Sequence, residues 1–175
     1  MKKQILWITE TAVMLALLVT LQTLTKSAGQ YVTGSCVNLI LAVTTLAAGL
    51  GSGAAVALLS PLFAFLLGIG PQVPLIVPAI SVGNLVYVLL LWEIAGKDLH
   101  SLPRKLLAWL GAAGGKAAVL YLLVVQLLCA VLDIPQKQMA LFTAMFSWPQ
   151  LVTALVGGGV ALLAVPIVRK ALGKQ

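Results

Sequence analysis

Six apolar runs dominate this chain, at residues 5–24, 37–50, 54–69, 75–94, 106–132 and 140–168, and within them stand only three charged side chains, Glu10, Glu93 and Lys116. About twenty apolar residues in a helix cover the ~30 Å hydrocarbon core of a bilayer, at 1.5 Å per residue. Inside that core only a helix or a closed barrel satisfies the backbone, and runs of this length without strict alternation read as helices. The expected fold is therefore all-α, a single six-helix transmembrane domain over residues 1–175. With 61% hydrophobic and 9% charged residues there is too little polar surface for a water-facing exterior. The length leaves no room for a sizeable extramembrane domain, so any soluble machinery is expected on a partner.

The breaks between runs set the connections. Polar residues 25–30 end the first run, and a loop carrying Tyr31 and Thr33 leads into the second. Gly49, Gly51 and Gly53 predict a tight turn that makes helices 2 and 3 antiparallel neighbours. Pro61 removes a backbone donor inside helix 3, and Ser60 is placed to compensate. Residues 68–74 read as a turn, residues 96–105 as the most charged loop, and residues 133–138 as a polar loop. The first run, which follows Lys2 and Lys3, shows no small-residue cleavage site and is expected to stay as a helix.

The net charge of +7 raises nucleic acid as a partner, but the basic residues sit at the ends of apolar runs and form no patch. They orient the chain instead. With the amino terminus inside, Lys2, Lys3, Lys97, Arg104, Lys105, Arg169, Lys170 and Lys174 lie inside, and only Lys26 and Lys137 outside. Cytoplasmic loops retain positive charge, so both termini are expected in the cytoplasm.

Residues able to carry catalysis are scarce. His100 stands in the charged loop, and four acids, Glu10, Glu93, Asp98 and Asp133, are too scattered for a metal cage or an acid/base pair. Gly114-Gly115-Lys116 is followed by Ala117 and lacks the Ser or Thr of a phosphate cradle. Cys36 and Cys129 have no metal or redox spacing and read as small apolar filler. No catalytic residue, metal ligand or cofactor is assigned.

Lys116 is the most informative residue. It lies about eleven residues beyond Lys105, roughly 16 Å along helix 5 and so near mid-membrane. A lysine there costs at least ~2.5–3.5 kcal/mol. It either anchors an anionic or carbonyl group of a solute, pairs with Glu10, or snorkels to an interface. Polar and aromatic residues also gather toward the outer side: Gln30, Tyr31, Asn38, Gln72, Ser81, Asn84, Tyr121, Gln126, Trp148 and Gln150. Such a set suits a small-solute pocket, for which Lys116, Asn84, Gln126, Tyr121, Trp148, Gln150, Asn38, Tyr31 and Gln72 are the candidate binding residues. An interfacial aromatic belt accounts equally for Tyr31 and Trp148. Ala12 and Ala16 form a small-residue stripe on helix 1, suited to close approach of another helix, inside the protein or outside it.

In helix count, length and basic inner ends the whole chain resembles the substrate-binding S components of energy-coupling factor (ECF) vitamin transporters of prokaryotes. Locally, Ala12-Val13-Met14-Leu15-Ala16 is similar to that family's Ala-x-x-x-Ala contact with its coupling subunit. The stretch from Gly29-Gln30-Tyr31-Val32-Thr33-Gly34 through Ser60-Pro61-Leu62-Phe63-Ala64-Phe65 adds to the likeness. The resemblance implies a plasma-membrane protein that binds a vitamin or related micronutrient in its outer half, beneath the loops joining helices 1 to 2, 3 to 4 and 5 to 6. It implies as partners a membrane coupling subunit, docked on Ala12 and Ala16, and two ATPase subunits. Two readings from other classes stand beside it: an enzyme acting on lipid-linked substrates, and a structural subunit or oligomeric channel using Gly157-Gly158-Gly159 for helix contacts.

Overall fold

The computed structural model describes residues 2–95, 101–131 and 135–173. His100, Asp98, Asp133, Lys97 and Lys174, all weighed above, lie outside the described residues. The described residues are helical almost throughout, with no strand among them. Helix α1 covers Lys2–Thr25, α2 Gln30–Val43, α3 Leu50–Leu66, α4 Ile76–Ala95, α5 Leu102–Leu120, α6 Gln136–Phe146 and α7 Trp148–Ala171. Wider π-helical turns prolong α2 through Thr44–Ala48 and α5 through Tyr121–Leu128. Five stretches are long and apolar enough to cross a membrane: Lys3–Ala28, Gln30–Ala48, Ile76–Ala95, Leu102–Val131 and Gln136–Ala171. Leu50–Leu66 is equally apolar and shorter.

Packing explains how so apolar a chain sorts itself. Helix α5 buries Ala108, Ala112, Ala113, Lys116 and Leu120 on one face, a helical period of small residues that lets α4 and α7 approach closely. Together with Leu41, Val56, Tyr87, Val88, Leu91 and Ala161 they build the central core. A second core around Ile76, Val124, Phe142 and Phe146 fills the end remote from the amino terminus. Large apolar side chains, including Leu66, Leu163 and Ile167, face outward, an exterior compatible with lipid.

Several connections differ from the sequence expectation. The expected loop around Tyr31 and Thr33 is the first turn of α2, because Gly29, at φ +87°, makes the whole change of direction. Gly49 alone, at φ +110°, turns α2 into α3; Gly51 and Gly53 are helical. A side chain at Gly53 would meet the Val88 Cγ1 at 3.0 Å, so this glycine serves close packing. Helices α2 and α3 touch chiefly near their shared turn, and α2 lies instead along α7. The approach is set by Gly157, where a Cβ would stand 2.7 Å from the Leu39 amide nitrogen. Gly158 and Gly159 face Trp109 of α5, whose indole Nε1 donates to the Leu155 carbonyl at 2.8 Å. The three glycines considered for oligomer contacts are thus occupied inside the protein.

The single expected helix over residues 140–168 is two helices, broken at Ser147 (φ −96°, ψ −131°). Pro149 lacks an N–H and so leaves the Met145 carbonyl without its helical donor. Two side-chain amides replace it: Gln30 Nε2 donates to that oxygen at 2.6 Å and Gln150 Nε2 at 3.0 Å. Pro61 receives no such repair from Ser60, whose buried Oγ has no partner.

Candidate functional site

Threonines and asparagines inside the bundle are satisfied in two ways. Thr44 and Thr45 return their hydroxyls to the Ile40 and Leu41 carbonyls, both at 2.6 Å, and need nothing from a neighbouring helix. Asn38, Asn84 and Lys116 have no such local acceptor and satisfy one another. Lys116 Nζ donates to Asn38 Oδ1 at 2.6 Å and to Asn84 Oδ1 at 2.7 Å, joining α5 to α2 and α4. Asn38 Nδ2 extends the chain to Thr153 Oγ1 of α7 at 3.3 Å. The Tyr87 ring lies 5.6 Å from the ammonium, within cation–π range. Lys116 is 3% exposed, and its partners are the two amides, not the Glu10 carboxylate.

This polar knot lines a cavity of about 270 Å³, at the small end of the ~300–1,000 Å³ usual for ligand pockets. The walls combine the α1–α2 junction (Lys26, Gly29, Gln30), the Pro61 turn of α3 (Ser60, Ala64, Phe65), the segment Ile69 to Pro71, Ile80 and Asn84 of α4, and Phe146 and Gln150 at the α6–α7 break. Every one of those junctions lies at the bundle end remote from the amino terminus. The ends are identified by contacts. Gly51, at the α2–α3 turn, faces the Trp7 side chain near the start of α1, and Thr11 donates to Ser52 at 2.8 Å. At the other end Lys26 Nζ faces Gly68, and Gln30 reaches Met145.

Of the nine candidate binding residues, Lys116, Asn84, Asn38 and Gln150 line the cavity. The other five are absent from its lining. Gln126 Nε2 donates to Tyr121 Oη at 2.9 Å on the outer surface of the bundle, because the π turns between them bring residues five apart into register. Trp148 is 66% exposed and its ring pairs with that of Tyr31, centroids 6.2 Å apart, outside the cavity. Gln72 is exposed, its amide 3.4 Å from the Gly70 carbonyl. Ser81, weighed with the polar set, ties α4 to α3 through the Leu58 carbonyl at 3.1 Å.

Among the lining residues that the sequence reading did not assign to the site, two carry unpaired buried oxygens. Gln22 and Ser60 are buried against the cavity, and Gln22 Oε1 and Ser60 Oγ have no hydrogen-bond partner. An unsatisfied buried polar atom costs ~1–3 kcal/mol, so both are available to a ligand that can pair with them. The sequence signal for Gln22 was its spacing: it stands four residues before Lys26, on the same helical face, in an otherwise apolar run.

Among the described residues no carboxylate, histidine or cysteine lines the cavity, and no three metal-ligating side chains group together. Cys36 is half-buried and Cys129 buried, both free thiols. The arrangement offers one buried cation, fixed amides and unpaired oxygens around a half-open cavity. It is equipped to hold a small molecule. Comparison with family models, curated proteins and solved structures finds no match.

Proposed function

We propose that this chain is the solute-binding subunit of an ECF-type importer in a prokaryotic plasma membrane. It spans the bilayer six times with both termini in the cytoplasm and captures a vitamin or related micronutrient from outside. One observation carries the reading: a buried lysine, fixed by two asparagines from different helices, lies against a half-open cavity at the end carrying few positive charges. Burying that ammonium costs at least ~2.5–3.5 kcal/mol, offset in part by its two bonds to α2 and α4, and an anionic or carbonyl group on a solute would offset the rest.

The distribution of basic residues supports an outward-facing cavity, since Lys3, Arg104, Lys105, Arg169 and Lys170 belong to the opposite end. Leu50–Leu66 serves as the sixth span; its 17 residues cover about 26 Å, and a slight local thinning of the bilayer accommodates it. Ala12 and Ala16 are both exposed on α1, where they are free to receive a coupling subunit and contribute nothing to internal packing. Transport energy comes from that subunit and its two ATPases. The chain itself is not an enzyme.

The test is native mass spectrometry of the purified protein in lipid nanodiscs, without nucleotide. The expected result is a bound small molecule that is retained without ATP and lost on Lys116→Met. Ion conductance by the protein alone in a planar bilayer, with no bound solute, overturns the proposal in favour of a channel.

A further inference from the structure

The charge balance of the cavity narrows what it takes. Among the described residues its lining contains two cations, Lys116 at the base and exposed Lys26 at the rim, and no acid. An ammonium has three donors, and Lys116 spends two on Asn38 and Asn84. Both partners are neutral amides and the third neighbour is the Tyr87 ring, so among the described residues no acid balances the positive charge. A solute that fills the cavity replaces water around this group. If neutral, it leaves a bare cation in a dry site; a single negative charge removes that penalty. A dianion overshoots the one buried cation, because the charge of exposed Lys26 at the rim is screened by solvent.

The unpaired oxygens add a second requirement. Gln22 Oε1 can only accept a hydrogen bond, whereas Ser60 Oγ can donate or accept. A solute able to satisfy both ends must therefore present an acceptor to Lys116 and a donor to Gln22. We infer that the cavity selects a compact monocarboxylate that also carries an N–H or O–H donor, the carboxylate bound by Lys116 and the donor by Gln22. This assignment rests on the solute-binding reading above and names its substrate class. The remaining walls, Phe65, Ile69, Ile80 and Phe146, are apolar and suit a flat or aliphatic body that carries both groups.

Four probes test it on the full chain in nanodiscs by ligand-observed NMR titration: pyrrole-2-carboxylate, pyrrole-2-carboxamide, N-methylpyrrole-2-carboxylate and inorganic phosphate. The acid is expected to bind about tenfold or more tighter than the amide, the ratio of a charged to a neutral hydrogen bond. It is expected to bind about two- to tenfold tighter than the N-methyl acid, and phosphate should not displace it. In Gln22→Met the parent and N-methyl acids should bind within about twofold of each other while the acid keeps its lead over the amide. The wild-type comparisons need no variant to fold. Equal binding of acid and amide, displacement by phosphate, or no binding by any probe overturns the inference. A neutral solute found in the cavity by mass spectrometry sinks the monocarboxylate and leaves the binding-subunit reading standing; conductance with no solute bound sinks both.

Discussion

Asn84→Asp separates the charge of the cavity from its shape. Asn84 enters the polar network through Oδ1 alone, 2.7 Å from Lys116 Nζ, so the substitution keeps the geometry and supplies the ammonium with a counter-ion. At that distance and an effective dielectric near 20, the new attraction is about 6 kcal/mol. Burying the carboxylate costs several kcal/mol in return, and the fold should move by no more than about 2 kcal/mol either way. Solute binding should not be spared. The charge-assisted bond that Lys116 offers an anion, about 1.5–3 kcal/mol, is already spent on Asp. At about 6 Å from a bound carboxylate the new charge adds roughly 3 kcal/mol of repulsion at the same dielectric. An anionic solute should therefore bind at least about a hundredfold more weakly. The measurements are the thermal midpoint of the nanodisc-embedded variant and its affinity for pyrrole-2-carboxylate. A folded Asn84→Asp protein that binds the acid as well as wild type would refute the assignment of Lys116 as the anion's partner.

Three further substitutions probe the frame around the site. Gly157→Ala places a methyl group 2.7 Å from the Leu39 nitrogen and 2.8 Å from Asn38 Cβ, forcing α2 from α7; a loss of about 3 kcal/mol or more is expected in chemical unfolding, whereas Gly114→Ala, with nothing within 4 Å, should be silent. Gln30→Ala and Gln150→Ala each remove one of two donors to the Met145 carbonyl and should cost about 0.5–1.5 kcal/mol singly, while the double variant orphans that carbonyl and should exceed the sum of the single losses in thermal unfolding. Ala12→Trp alters an exposed face of α1 and should leave folding and solute affinity unchanged while abolishing uptake in whole cells; undiminished uptake would remove α1 as the coupling face.

What could be read from the sequence, and what could not, divides along one physical line. Lys116 and Asn84, deep inside their apolar runs, have few permissible partners and meet, whereas Asn38, second in its run, joins them by a contact the sequence does not announce. Polar groups near helix ends have many partners, water included, and Tyr31 and Trp148 pair on the exterior. Tyr121 and Gln126 pair there too, although both lie inside the fifth run, through a π-helical register that no 3.6-residue period anticipates. Backbone defects were half legible: Pro61 and Pro149 mark where a carbonyl loses its donor, yet only the folded chain reveals that Gln30 and Gln150 repair the second. Ser60 illustrates the converse. Its position beside Pro61 suggested a local repair, but its oxygen stands unpaired at the cavity wall. A fold selected for stability alone would pair that hydroxyl with the i−4 carbonyl, as Thr44 and Thr45 do. Ser60 Oγ and Gln22 Oε1 instead stay unpaired beside one half-open cavity, which leaves two buried oxygens for an entering molecule to pair with.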